Sequence, residues 1–109
     1  MHNRFEPQLF IILEATILYM DYIIGIDIGT GSTKAVAVAT TGDVLGTSQV
    51  SYPTLNPKPG YSEQAPELIW QAFIKCISRI INQLQHQPKG IALSSAMHSV
   101  IGVNENGEH

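Results

Sequence analysis

The sequence predicts an α/β fold in which a mixed β-sheet carries one crossover helix. Three observations lead there. Between Ile23 and Ser51, three strand-like runs are separated by polar, glycine-bearing turns. From Pro66 to Gln85, apolar residues recur at helical spacing. A further strand, Gly90–Ser95, follows that helix, and strand, helix and strand in series close as a right-handed crossover into a parallel pair.

The opening residues read differently from the rest. Residues 1–19 begin with His2, Asn3, Arg4, Glu6 and Pro7, and Glu14 divides the apolar run that follows. A signal peptide wants a basic start and a small-residue cleavage site, and a membrane span wants about 20 apolar residues. Neither pattern is met. We expect an upstream extension with Met20 as the working start, and the domain from residue 20 to residue 109.

The first strand is Ile23-Ile24-Gly25-Ile26-Asp27-Ile28, β-branched and apolar with one carboxylate near its end. Gly29-Thr30-Gly31-Ser32-Thr33-Lys34 reads as a turn, and Ala35–Ala39 as the second strand. Thr40-Thr41-Gly42-Asp43 turns the chain into a third, Val44–Ser51, which makes an antiparallel three-strand meander. Pro53, Pro57, Pro59 and Gly60 mark residues 52–65 as an extended loop. Pro66 suits the first helical position. Leu68, Ile69, Ala72, Phe73, Cys76, Ile77, Ile80, Ile81 and Leu84 form one apolar stripe, and Pro88 ends the helix. Beyond the fourth strand, Asn104-Glu105-Asn106-Gly107 is a turn with no returning strand, so we expect a truncated domain.

Composition excludes several classes. A chain of 109 residues is one domain or part of one. With 44% hydrophobic and 14% charged residues it is globular in character. A net charge of −3 gives no electrostatic argument for nucleic acid or anionic membrane as partners. The single cysteine, Cys76, lies on the apolar side of the helix and permits neither an internal disulfide nor a zinc pattern.

Chemistry concentrates at residues 27–34. The turn offers backbone N–H groups, three hydroxyls and Lys34 beside Asp27, which suits a nucleotide phosphate and its magnesium ion. A dinucleotide fingerprint fails, because Lys34 stands where its third glycine belongs and a strand follows instead of a helix. The P-loop spacing fails as well. An ordinary hairpin turn would explain the glycines and hydroxyls for backbone reasons alone, but not Asp27 and Lys34 together.

Asp-x-Gly-Thr-x-Ser-Thr-Lys after an apolar strand resembles the first phosphate motif of the FGGY carbohydrate kinases. The resemblance runs from about Tyr22 to the end of the chain. It is supported by Gly60–Glu67 with Trp70, similar to the segment before the family's first helix, although Ala65 replaces the usual Asp. It is supported again by Ser94-Ser95-Ala96-Met97-His98-Ser99, similar to the family's substrate loop. The Ser-Ala before Met-His looks more like gluconate kinases than xylulose kinases, which tend to carry Gln there. The resemblance implies a ribonuclease-H-like, actin-type ATPase domain and a cytoplasmic enzyme acting on a sugar or aldonate with ATP and Mg2+. It implies phosphate binding by Gly29, Thr30, Gly31, Ser32, Thr33 and Lys34, a metal-orienting role for Asp27, and substrate contacts by Met97 and His98. The general-base aspartate is expected beyond His109, so the 109 residues alone are expected to be inactive. No nucleic-acid or membrane partner is expected, and an oligomer is compatible with the complete enzyme. The alternatives are a xylulose or other sugar kinase, a non-kinase ATPase of the same fold, and a stand-alone binding domain.

Overall fold

A computed structural model describes residues 20–109; the expected extension at residues 1–19 lies outside the described residues. The order of elements is β1 (Tyr22–Ile28), β2 (Ser32–Ala39), β3 (Val44–Ser51), α1 (Pro66–Leu84) and β4 (Gly90–Ser95). The sheet runs β3-β2-β1-β4. β1 pairs antiparallel with β2, and β2 with β3, while β4 joins β1 in parallel. The meander and the parallel pairing of β4 with β1 across the helix therefore stand as expected.

Side-chain alternation assigns the two faces of the sheet. Tyr22, Ile24 and Ile26 of β1 and Thr33, Ala35, Ala37 and Ala39 of β2 are buried under the helix. Small side chains along β2 let α1 lie close to the sheet. The same closeness shows at Gly46 of β3, where an added Cβ would stand 3.0 Å from Gln83 Oε1. On the helix, Ala72, Cys76, Ile80 and Leu84 recur every fourth residue and are buried. Cys76, Ile80 and Leu84 meet β1 and β2 in one core, flanked by Leu45, Val50, Phe73, Ile77 and Ile81. Removal of this apolar surface from water is the main force holding helix to sheet. Leu68, placed in the apolar stripe by its spacing, is instead 40% exposed.

The far end of the helix is clasped to the start of β1. Gln85 caps α1 in the left-handed conformation, its N–H donating to Ile81 O. The ring of His86 follows, with Nδ1 2.9 Å from Leu84 O and Nε2 2.7 Å from Met20 O. The Tyr22 hydroxyl donates to His86 O at 2.6 Å, and burial raises the Tyr22 phenol above its ordinary value.

The near end is less well capped. Ala65 is the N-cap, extended at φ −83° and ψ 113°, with no side-chain cap bond. Ala65→Asp is expected to stabilise the chain by about 1 kcal/mol through capping and the helix dipole. Urea unfolding of the two chains measures it, and an unchanged midpoint would show that those N–H groups are already satisfied.

One expectation is corrected. The turn after β1 is three residues long, Gly29–Gly31, and Ser32, Thr33 and Lys34 belong to β2. Thr33 and Lys34 pair with Ile28 and Asp27 of β1, and all three residues register against Ser51, Val50 and Gln49 of β3. No strand follows the final turn among the described residues, as the sequence indicates. Asn104 N donates to Glu108 O at 2.8 Å, and Asn104 Oδ1 accepts from the N–H groups of Asn106 and Glu108, so it closes on itself.

Candidate phosphate and substrate site

The open face of the sheet, opposite α1, carries one polar row. Asp27 of β1 registers with Lys34 of β2 on one side and with Ser94 of β4 on the other. Lys34 in turn registers with Gln49 of β3. Each strand thus places one polar side chain on this face at the same level, and the four line a single cavity with Thr47 and Ser48. All four are exposed. The charged contacts of the described residues, the Lys89–Asp21 ion pair and the His109–Glu67 contact, include neither Asp27 nor Lys34.

Above this row the Gly29–Gly31 turn is held from several directions. Gly29 N donates to Ser32 O at 2.9 Å, closing the turn. Gly29 is required by close approach, since an added Cβ would lie 3.1 Å from that same carbonyl oxygen. The Tyr52 hydroxyl donates to Gly29 O, Tyr52 N to Gly31 O, and the Gln64 amide to Thr30 O. With its carbonyls engaged by Tyr52 and Gln64, the turn is fixed before any ligand arrives.

The expected site residues do not all meet. Gly29, Thr30, Gly31, Ser32 and Lys34 lie at the turn or on the open face. The side chain of Thr33 goes the other way: it is fully buried, with Oγ1 3.5 Å from Tyr52 Oη. The Thr33 carbonyl accepts from the buried Cys76 thiol. Alternation along β2 demands this, since Ser32 and Lys34 face outward.

The Met97-His98 loop leaves the carboxyl end of β4 beside the same turn, where Ala96 N donates to Ile28 O at 2.9 Å. His98 adopts the left-handed conformation at φ 68°, which histidine enters more readily than most residues. It lines an apolar recess on the helix side of the sheet, with Ile28, Trp70, Phe73, Leu93 and Ile101. The Trp70 and Phe73 rings stack there at 5.4 Å. Met97 is 80% exposed and lies outside that lining. Asp27 and Lys34 therefore stand on one side of the sheet and His98 on the other, around the common end of β1 and β4.

Sequence reasoning missed Gln49, Ser94, Tyr52 and Gln64. The first two are brought into the row by strand register, which no local motif encodes. The last two act on backbone carbonyls across 23 and 34 residues.

The chain resembles known proteins over the same span. Residues 22–109 match the model of the FGGY family of carbohydrate kinases, N-terminal domain. The gluconokinase of Bacillus subtilis is 48% identical over 88 residues, covering 78% of this chain and 17% of that protein. The xylulose kinase of Staphylococcus xylosus is 40% identical over 89 residues, covering 81% and 18%. Among solved structures, the gluconate kinase and the ligand-bound xylulose kinase of Lactobacillus acidophilus are each 34% identical, with TM-scores of 0.77 and 0.78. Each comparison covers 82% of this chain and 18% of the other. The chain spans less than a fifth of the length of these relatives. The expected ribonuclease-H-like, actin-type fold agrees with the mixed sheet, its helix and these neighbours. By match, identity and fold, the chain belongs to the FGGY family of carbohydrate kinases and carries that family's N-terminal domain.

Proposed function

We propose that this domain serves an ATP-dependent kinase that phosphorylates a hydroxyl of a sugar or aldonate, with gluconate as the preferred substrate. The observation that carries the reading is the pairing of Asp27 with Lys34 directly beneath a braced glycine turn. In this reading Gly29, Thr30, Gly31 and Ser32 meet the nucleotide phosphates with N–H and O–H donors. Thr33 contributes backbone alone, because its side chain is in the core. Lys34 presents a point charge to the transferring phosphoryl.

The residues suit magnesium held in the usual phosphoryl-transfer manner. Among the described residues no three metal-ligating side chains cluster. Asp27 would hold the ion in company with water and substrate phosphates, the arrangement magnesium favours. Bound with ATP, the ion neutralises charge on the phosphoryl group. The general base is assigned to an aspartate outside residues 1–109, so the 109-residue chain alone is expected to be inactive. A cytoplasmic location accords with this reading, and no helix among the described residues is long and apolar enough to cross a membrane.

Gluconate is favoured over xylulose by the Ser95-Ala96 pair before Met97-His98. The higher identity to the Bacillus subtilis gluconokinase than to the xylulose kinase agrees with it. The test is a chimera in which residues 22–109 replace the matching segment of that gluconokinase, assayed with ATP and magnesium on gluconate, xylulose and glycerol. Gluconate is expected first and xylulose second. Strong activity on glycerol alone would overturn the aldonate assignment and leave the kinase reading standing.

In the same chimera, His98→Ala is expected to raise KM for the sugar about tenfold, the scale of one lost buried hydrogen bond to substrate. KM for ATP should stay nearly unchanged, because the sheet separates His98 from Asp27 and Lys34. Equal weakening of both ligands would remove His98 from the sugar side.

A further inference from the structure

We propose that Gln49 is a positioning residue of the phosphate turn, orienting the Ser32 hydroxyl so that its hydrogen faces the bound anion. The inference rests on reading Gly29–Lys34 as the phosphate site. Gln49 stands opposite Lys34, and its side chain runs diagonally across the β2–β3 pair to reach Ser32, two residues nearer the turn. Such a diagonal is about 7–8 Å between backbones and needs a long side chain. Gln49 Nε2 donates to Ser32 Oγ at 3.2 Å. Its backbone is held from the other direction, where Arg79 Nη1 of α1 donates to Gln49 O at 3.3 Å.

The consequence follows from the valence of a hydroxyl. Serine has one hydrogen to give and two lone pairs to receive. With the amide occupying a lone pair, the Ser32 hydrogen must point elsewhere, and among the described residues no protein acceptor takes it. Ser32 is the first residue of β2 and lies on the face that carries Asp27 and Lys34. Its free hydrogen is thereby available to a phosphate oxygen over the turn. Donation by the amide also polarises the hydroxyl and strengthens it as a donor in turn. Glutamine suits the position by length and by sign. Asparagine is too short for the diagonal, and glutamate would accept the serine hydrogen and turn it away from the ligand.

The test uses the full 109-residue chain. MgATP is titrated while the backbone amides of residues 29–34 are followed by NMR, with Ser32→Ala, Gln49→Met, Gln49→Glu and the double variant Ser32→Ala/Gln49→Met alongside the parent. Gln49 is exposed, so its replacement leaves the core intact. Ser32→Ala and Gln49→Met are each expected to raise Kd about fivefold, the size of one ordinary hydrogen bond. The double variant should be no weaker than Ser32→Ala alone, because Gln49 acts only through that hydroxyl. Gln49→Glu should exceed about tenfold, since it reverses the hydrogen and sets a negative charge beside the phosphates. If Gln49→Met weakens binding equally with and without the Ser32 hydroxyl, Gln49 does not act through Ser32 and the proposal is overturned. If Ser32→Ala leaves Kd unchanged, or MgATP does not move these amides at all, the phosphate reading itself fails and takes this proposal with it.

Discussion

Asp27→Ala in the gluconokinase chimera is expected to lower kcat by about a thousandfold or more. The carboxylate sits near the end of a central strand, flanked in register by Lys34 and Ser94, so its position is set by backbone pairing on both sides. A Mg·ATP complex brings several negative charges into one place, and transfer requires them neutralised and aligned. A carboxylate that orients the ion or its water is worth several kcal/mol of transition-state stabilisation; about 4 kcal/mol corresponds to that loss in rate. Asp27 is exposed on the open face and outside the core, so the substitution leaves the sheet standing. Asp27→Asn separates charge from shape and should lose nearly as much. Steady-state kinetics over a range of magnesium concentrations measures both variants. Activity within a few-fold of the parent would remove Asp27 from the metal site.

Lys34→Ala should lower kcat about a hundredfold, while KM for ATP rises only slightly. The contrast follows from when the charge is needed. A lysine that meets phosphate equally in the ground and transition states lowers KM and leaves the rate alone; one placed where charge develops changes the rate. Lys34 is one strand away from Asp27, on the same face and beneath the turn. Loss of one preorganised electrostatic partner of this sort costs about 3 kcal/mol, or about two orders of magnitude. Lys34→Arg keeps the charge but trades a compact ammonium for a planar fork, so only part of the rate should return. A large rise in KM for ATP at unchanged kcat would assign Lys34 to simple nucleotide binding.

Much of this protein is legible in local sequence. Strands β3 and β4 have the limits their composition indicates, Val44–Ser51 and Gly90–Ser95. Helix α1 starts at Pro66 and ends one residue short of expectation, because Gln85 turns left-handed to cap it. These features are local. A period of two or of 3.6, a proline at the first helical position and a proline soon after the end are written within a few residues of where they act. Asp27, Gly29 and Lys34 were legible for a related reason, since a short strand, turn and strand keep their residues close in space.

What tertiary structure decided is the set of contacts that cross many residues. Ser32, Thr33 and Lys34 look like turn residues in the sequence, but Thr33 and Lys34 pair with Ile28 and Asp27 of β1 and all three register against β3, which places them in β2. That pairing buries Thr33 and turns Ser32 and Lys34 outward, because neighbours in a strand face opposite sides. Gln49 carries no motif and Ser94 only opens the Met97-His98 segment, and both enter the polar row through register with Lys34 and Asp27. Tyr52 and Gln64 sit in a proline-rich stretch and brace the glycine turn through its carbonyls. The helix-side placement of His98, opposite Asp27, follows from the parallel pairing of β4 with β1 and the left-handed bend after it. Composition and spacing determine which elements form; the faces on which their side chains meet depend on long-range register, which only the assembled sheet supplies.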